Sequence, residues 1–215
     1  MPASLPTVRF PESERRIADA TGLALSVSRA ALARLAHDLG ALRAGVGEDV
    51  PVSFGALRHH VSSGQLLRDC RRMLPSSALA EGRLELRIAE RTLATLSRPE
   101  RALGEMVEGG ARVTVDELGR GFSSLARLPQ WPLWALQIDR AQVVAASDNA
   151  AARRSCHAIA ALAHALEVLP IAAGVDDEAT RACQLELGCA QGLGDLYPLD
   201  LELAQDVLPL ARVAG

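Results

Sequence analysis

Short apolar runs of strand length alternate with longer stretches whose apolar residues recur at helical spacing. SRAALARLAHDLGALR carries small and aliphatic residues at that spacing and precedes DVPVSF, a short run rich in β-formers. HHVSSGQLLRDCRRML predicts a helix and RLELRIAE the next strand. RPERALGEMVEGG predicts a helix stopped by Gly109 and Gly110, and ARVTVDE and LWALQID predict two further strands. A long helix follows around NAAARRSCHAIAALAHALEV, then strand at VLPIAAGV and helix at DDEATRACQLEL. GCAQGL predicts a last strand before a final helix near LDLELAQDVL. Six β-then-α units joined by short connections predict an α/β domain with a parallel sheet, either open and doubly wound or closed as a barrel.

In both architectures function collects at the carboxyl ends of the strands. Those ends carry Ser53 and Phe54, Glu90, Asp116 and Glu117, Asp139, Gly174 to Asp177, and Gln191 with Gly192. Acidic residues after four separate strands form the converging oxygen set that hard divalent cations such as magnesium take. Polar residues also mark strand ends with no such role, so the pattern alone leaves both readings open.

At 215 residues the chain is one large domain or two very small ones. A 49% hydrophobic content with a net charge of −3 excludes disorder and makes sequence-blind nucleic-acid binding an unsuitable role. No apolar run reaches the roughly 18 residues of a membrane span, and MPASLPTVRFPESERR lacks the apolar stretch of a secretory signal. A cytoplasmic protein is therefore expected. With 3% aromatic residues the core must be built from Ala, Leu and Val. All 23 positive charges are arginine, which excludes any mechanism that needs a lysine. The four cysteines contain no CxxC pair; Cys156 reads as a core thiol and His157 as a helix-surface residue. His59 and His60, about 100° apart on a helix, are poorly placed to share a metal, and no zinc site is predicted.

VTVDELGRGFSSLARLPQWPLWALQIDRAQVV resembles the EAL-domain family, in which the matching stretch reads DDFGTGYSSL followed by LKID. ADATGL is similar to the family's AEETGL, VPVSFGAL to VNLS, RLELRIAE to LELTE, IAAGVDDEAT to AEGVET, and AQGLGDLYPL to QGYLFSKPL. The resemblance runs from about Ala18 to Leu199. It implies a modified eight-stranded α/β barrel that hydrolyses cyclic di-GMP with two divalent ions, magnesium or manganese. Such a pair, about 4 Å apart, generates a hydroxide for in-line attack and needs several carboxylates to offset its mutual repulsion.

Carried over position by position, the resemblance implies a degenerate site. The asparagine of VNLS falls on Ser53, and the first glutamate of ELTE falls on Arg87, with Glu90 at the second. Of the paired aspartates Asp116 remains and Glu117 replaces the other. The lysine of LKID is Gln137, the first glutamate of AEGVE is Ala173 and the second is Asp176. A unit charge at 4 Å is worth about 4 kcal/mol at an effective dielectric of 20, and a divalent ion feels about twice that. Arg87 in a ligand position thus replaces a large attraction with repulsion. The expectation is no catalysis and no metal, with Asp116 and Glu117 as remnant ligands.

A vestigial nucleotide set would comprise Arg9, Asp139, Asp176, Gln191 and Pro198. Gly119, Gly121, Ser123 and Ser124 keep a loop that in the family lies near a dimer contact, although glycines there also simply permit a turn. The family's first two strands would need about 50 residues before ADATGL, and only 17 precede it. Residues 1–17 are read as a divergent segment in which LPTVRF supplies at most one strand, and 18–215 as an incomplete EAL-like barrel domain. Open strand edges then call for a protein partner or a second copy. Three functions follow in order of preference: a non-catalytic regulator acting through protein contacts, a non-hydrolysing cyclic di-GMP receptor, and a residual phosphodiesterase.

Overall fold

The computed structural model describes residues 7–8, 17–18, 20–46, 51–74, 76–80, 82–118, 125–189 and 191–196. Arg9, the loop at 119–124, Pro198 and the segment LDLELAQDVL lie outside them. The chain divides into two compact units, an amino-terminal one within residues 5–86 and 108–112 and a carboxyl-terminal one within 87–107 and 113–198.

In the amino-terminal unit, β1 (Thr7–Val8) pairs in parallel with β2 (Val52–Ala56), Thr7 opposite Ser53 and Val8 opposite Phe54. Val52, Ser53 and Phe54 are all buried, as expected for a parallel strand covered on both faces. Helix α1 (Ala24–Val46) buries Ala24, Ser28, Ala31, Leu32, Leu35 and Leu39, a stripe at three- and four-residue spacing. The single helix predicted in HHVSSGQLLRDCRRML is two, α2 (Arg58–Ser62) and α3 (Leu66–Met73). Gly64 separates them at φ +66, a left-handed turn that glycine adopts without steric cost.

Strand β3 (Leu84–Ala89) begins in this unit and ends in the other. The carboxyl-terminal unit continues with α4 (Glu90–Ala94), α5 (Pro99–Glu108) and β4 (Arg112–Leu118), the outermost residues of which belong to the first unit. Next come β5 (Ala135–Ile138), α6 (Arg140–Asp148), α7 (Ala150–Ala165), β6 (Leu169–Ala173), α8 (Glu178–Glu186) and β7 (Gln191–Leu193). Strands β4 to β7 pair in parallel in chain order, the arrangement produced by repeated β-then-α units.

The sequence pattern missed α6. Asn149 ends it, and the Asn149 side chain accepts the N–H groups of Ala151 and Ala152 at 2.8 and 3.1 Å, so a new helix starts at once. Between these helices and β5 and β6 lies a core of small residues, including Val143, Ala146, Cys156, Ala160 and Ala172. Cys156 is fully buried and His157 exposed, as their surroundings predict. Among the described residues no helix is long and apolar enough to cross a membrane.

Candidate functional site

At the carboxyl end of β4 the register with β5 shifts. Val115 lies opposite Leu136 and Leu118 opposite Ile138, so Asp116 and Glu117 together face the single residue Gln137. This extra residue is a bulge, and it is accommodated by Glu117 at φ +58, a left-handed conformation costly for a side chain with a Cβ. The bulge sets two consecutive acidic residues opposite Gln137 at the carboxyl end of β4.

Both carboxylates have protein partners. Asp116 Oδ1 accepts the Glu117 backbone N–H at 2.7 Å and a second hydrogen bond from the Gln137 side-chain amide. Glu117, 5% exposed, forms an ion pair with Arg91 of α4, Arg91 Nη1 to Glu117 Oε2 being 3.1 Å. Gln137 is 2% exposed, and its Oε1 has no hydrogen-bond partner. Arg87, near the end of β3, is buried at 1% exposure, an unusual depth for a guanidinium. Ala173, the last residue of β6, is buried and offers no donor or ligand side chain. Among the described residues, no three His, Cys, Asp or Glu side chains are grouped to hold a metal ion.

The remaining sequence-predicted residues fall into local structural roles. Asp139 caps α6, its Oδ1 accepting the Ala141 N–H at 3.0 Å. Asp176 accepts the Asp195 N–H at 2.9 Å and pairs with Arg140 at 2.6 Å. Gly174, at φ +82, leaves room for the Arg140 stem, which a Cβ would meet at 2.4 Å. Gln191 is half-buried in β7 opposite Ile171. Ser53 belongs to the amino-terminal unit, where it is buried and its hydroxyl has no hydrogen-bond partner.

Sequence reasoning missed two features. The first is Arg91, which sits 26 residues from Glu117 with no motif to join them. The second is a buried relay in the amino-terminal unit. Asp69 Oδ2 lies 3.1 Å from His60 Nε2, and Ser28 Oγ lies 2.8 Å from His60 Nδ1. A carboxylate only accepts, so Nε2–H donates to Asp69, and Nδ1 of the neutral ring accepts a hydrogen bond from the Ser28 hydroxyl. Arg29 Nε donates to Asp69 Oδ2 at 2.5 Å and its guanidinium also reaches Gln65.

Burial lowers the His60 pKa despite Asp69, while at Asp69 burial is outweighed by hydrogen bonds from Arg29 and His60, which hold its pKa low. The residue types are those of a nucleophilic triad, yet Ser28 and His60 are 0% exposed, so no substrate reaches them. The relay ties α1 to α2 and α3.

A cavity of about 280 Å³ opens at the other end of β5 and β6, lined by Leu128, Trp131, Leu133, Leu166 and Val168 with Glu167. The carboxylate pair and the cavity thus occupy opposite strand ends.

Comparison with known proteins joins these observations. The EAL domain profile matches residues 8–198. The signaling protein YkoW of Bacillus subtilis is 27% identical over 180 residues, 80% of this chain and 22% of that protein. The cyclic di-GMP phosphodiesterase NbdA of Pseudomonas aeruginosa is 28% identical over 189 residues, 87% of this chain and 24% of that protein. The chain therefore spans about a quarter of the length of these curated relatives. A structure described as the PaMucR phosphodiesterase in complex with c-di-GMP superposes with a TM-score of 0.75 at 24% identity, covering 88% of this chain and 77% of that one. The fold is thus the EAL-type α/β barrel fold, present in part.

Proposed function

The chain belongs to the EAL-domain family, and from that premise we propose that it is a non-catalytic member acting through protein contacts in the cytoplasm. One observation carries the reading: the strand-end carboxylates that remain are engaged by the protein's own donors, Glu117 by Arg91 and Asp116 by Gln137. This donor set does not suit two divalent ions. A guanidinium stands at position 87, a methyl group at 173, and an amide at 137 where the family has a positive charge. These three replacements take away charges on which the family's two-metal chemistry relies. A scaffold kept while its chemistry is dismantled serves binding, and either a protein partner or a second copy is the expected occupant.

The test is turnover. Incubation with cyclic di-GMP and magnesium or manganese is expected to leave the nucleotide intact. Hydrolysis abolished by Asp116→Ala would sink the proposal. A second reading, a non-hydrolysing cyclic di-GMP receptor, is favoured by kinship with a relative named as a cyclic di-GMP phosphodiesterase. Against it, Asp176 is already committed to Arg140 and the Asp195 backbone. Calorimetric titration separates the two: binding at micromolar nucleotide supports the receptor, and absence of binding supports the protein-contact role.

A further inference from the structure

We propose that the cavity at the amino ends of β5 and β6 is a socket for an arginine side chain presented by a protein partner. The proposal rests on the protein-contact role above and names the chemistry of that contact. The cavity lies wholly in the carboxyl-terminal unit, at the strand ends opposite the remnant carboxylates. Its volume of about 280 Å³ falls just under the roughly 300–1,000 Å³ usual for small-molecule pockets, and it suits one long side chain. Leu128, Leu133, Leu166 and Val168 offer apolar wall to a methylene stem, and the half-buried Trp131 ring offers a face to a planar cation. Both walls are fixed by backbone bonds. The Trp131 N–H donates to Leu128 at 3.1 Å and the Leu133 N–H to Trp131 at 2.8 Å, while the Val168 N–H donates to Ala163 at 3.0 Å.

Two observations select the occupant. Glu167 is the one charged side chain among the described residues lining the cavity, and it is exposed at the rim. It holds φ +58 at the carboxyl end of α7, where glycine is less strained and a carboxylate meets the negative end of the helix. A side chain kept at a cost to the fold points to a role outside the fold, and its charge calls for a cation. Arg127, outside the lining, shows which cation this ring accepts: its guanidinium carbon stands 5.8 Å from the Trp131 ring centre, and Glu100 pairs with it at 3.3 Å. An incoming arginine would repeat that arrangement of guanidinium, indole and carboxylate, with Glu167 in the part of Glu100. The compact ammonium of lysine has no plane to lay on the ring.

Nuclear magnetic resonance of the full chain tests this, with the Trp131 indole N–H as reporter and Trp134, which does not line the cavity, as reference. The probe is a pentapeptide with a central arginine flanked by glycines and blocked at both ends. The Trp131 signal is expected to shift and saturate, and the pentapeptide with citrulline, equal in shape but uncharged, should bind at least fivefold more weakly. Glu167→Gln should weaken the arginine peptide about fivefold, the effect of one exposed ion pair. Glu167→Gly should do the same while melting no lower than the unaltered chain, so that weaker binding is not lost folding. No saturable shift, equal binding of the citrulline peptide, or unchanged affinity in both Glu167 variants overturns the proposal. Binding of N-propylguanidinium with exclusion of the peptide also overturns it, because the cavity would then take a free small cation. Cyclic di-GMP turnover would instead count against the non-catalytic role, in a separate assay.

Discussion

Among the described residues two glutamates hold left-handed backbone, and they contrast in what surrounds them. Glu117 at φ +58 has a bulge and an ion pair to account for its conformation. Glu167, also at φ +58, closes α7: its N–H donates to the His164 carbonyl at 3.0 Å and the Val168 N–H to Ala163 at 3.0 Å. That pair of bonds is the Schellman ending, in which the left-handed position usually belongs to glycine. A carboxylate there also faces the negative end of the helix. Glu167→Gly is therefore expected to stabilise the protein by about 0.5–1 kcal/mol, read as a higher urea midpoint with an unchanged slope. Gly174 presents the reverse case. A Cβ at φ +82 would meet Arg140 Cγ at 2.4 Å and disturb the Arg140–Asp176 pair. Gly174→Ala should cost about 2 kcal/mol in the same measurement, and an unchanged midpoint would show that the Arg140 stem yields freely.

Among the elements, the relay joining α1 to α2 and α3 sets the acid limit of the fold. His60 is buried neutral, with Ser28 and Arg29 facing it from α1 and Asp69, Gln65 and Arg72 presented by α3 or its cap. Its folded pKa lies below the ordinary 6.5, so acid favours protonating the unfolded chain. Stability is then full above about pH 6.5 and lost as pH falls from there toward the folded value. Asp69, also held low, adds a second loss further into acid, below its ordinary 3.8. The melting temperature should be flat from pH 8 to 7 and decline below 6.5. In His60→Gln the first decline should vanish, at the cost of about 1–3 kcal/mol for a weakened buried network. A decline identical in that variant would place the acid-sensitive group elsewhere.

None of this relay was legible in the sequence, because its residues are brought together by the packing of three helices rather than by any spacing. The strands were legible, since VPVSF is a short run rich in β-formers and LELRIA alternates Leu84, Leu86 and Ile88 with Glu85 and Arg87. The bulge was not: DE after VTV gives no local sign that β4 gains a residue against β5. The candidate site was accordingly half read, with its residues identified from the family pattern and the Arg91 partnership left unseen.

At the scale of the whole molecule, the four cysteines report on how the two units unfold. Cys70 is buried in the amino-terminal unit, and Cys156, Cys183 and Cys189 are buried in the core of the carboxyl-terminal one. Burial pushes the Cys70 and Cys189 thiols up to about 12 and Cys156 to about 11, with Cys183 raised as well. A rise from 9.0 to about 12 lowers the thiolate fraction at pH 8 roughly a thousandfold, so the folded chain should be nearly inert to a thiol reagent.

Strand β3 supplies Leu84 to Leu86 to one unit and Arg87 to Ala89 to the other, and β4 gives only Arg112 to the first and Val113 to Leu118 to the second. A six-residue strand does not keep half its ladder when the other half melts, because its ordering entropy is offset only by neighbours on both sides. All four thiols are therefore expected to become reactive at one urea concentration, coincident with loss of helical circular dichroism. Mass spectrometry of pulse-labelled protein near the midpoint should find chains with zero or four labels. A population labelled at Cys70 alone, or at the other three alone, would mean that β3 breaks between Leu86 and Arg87 and that each unit folds on its own.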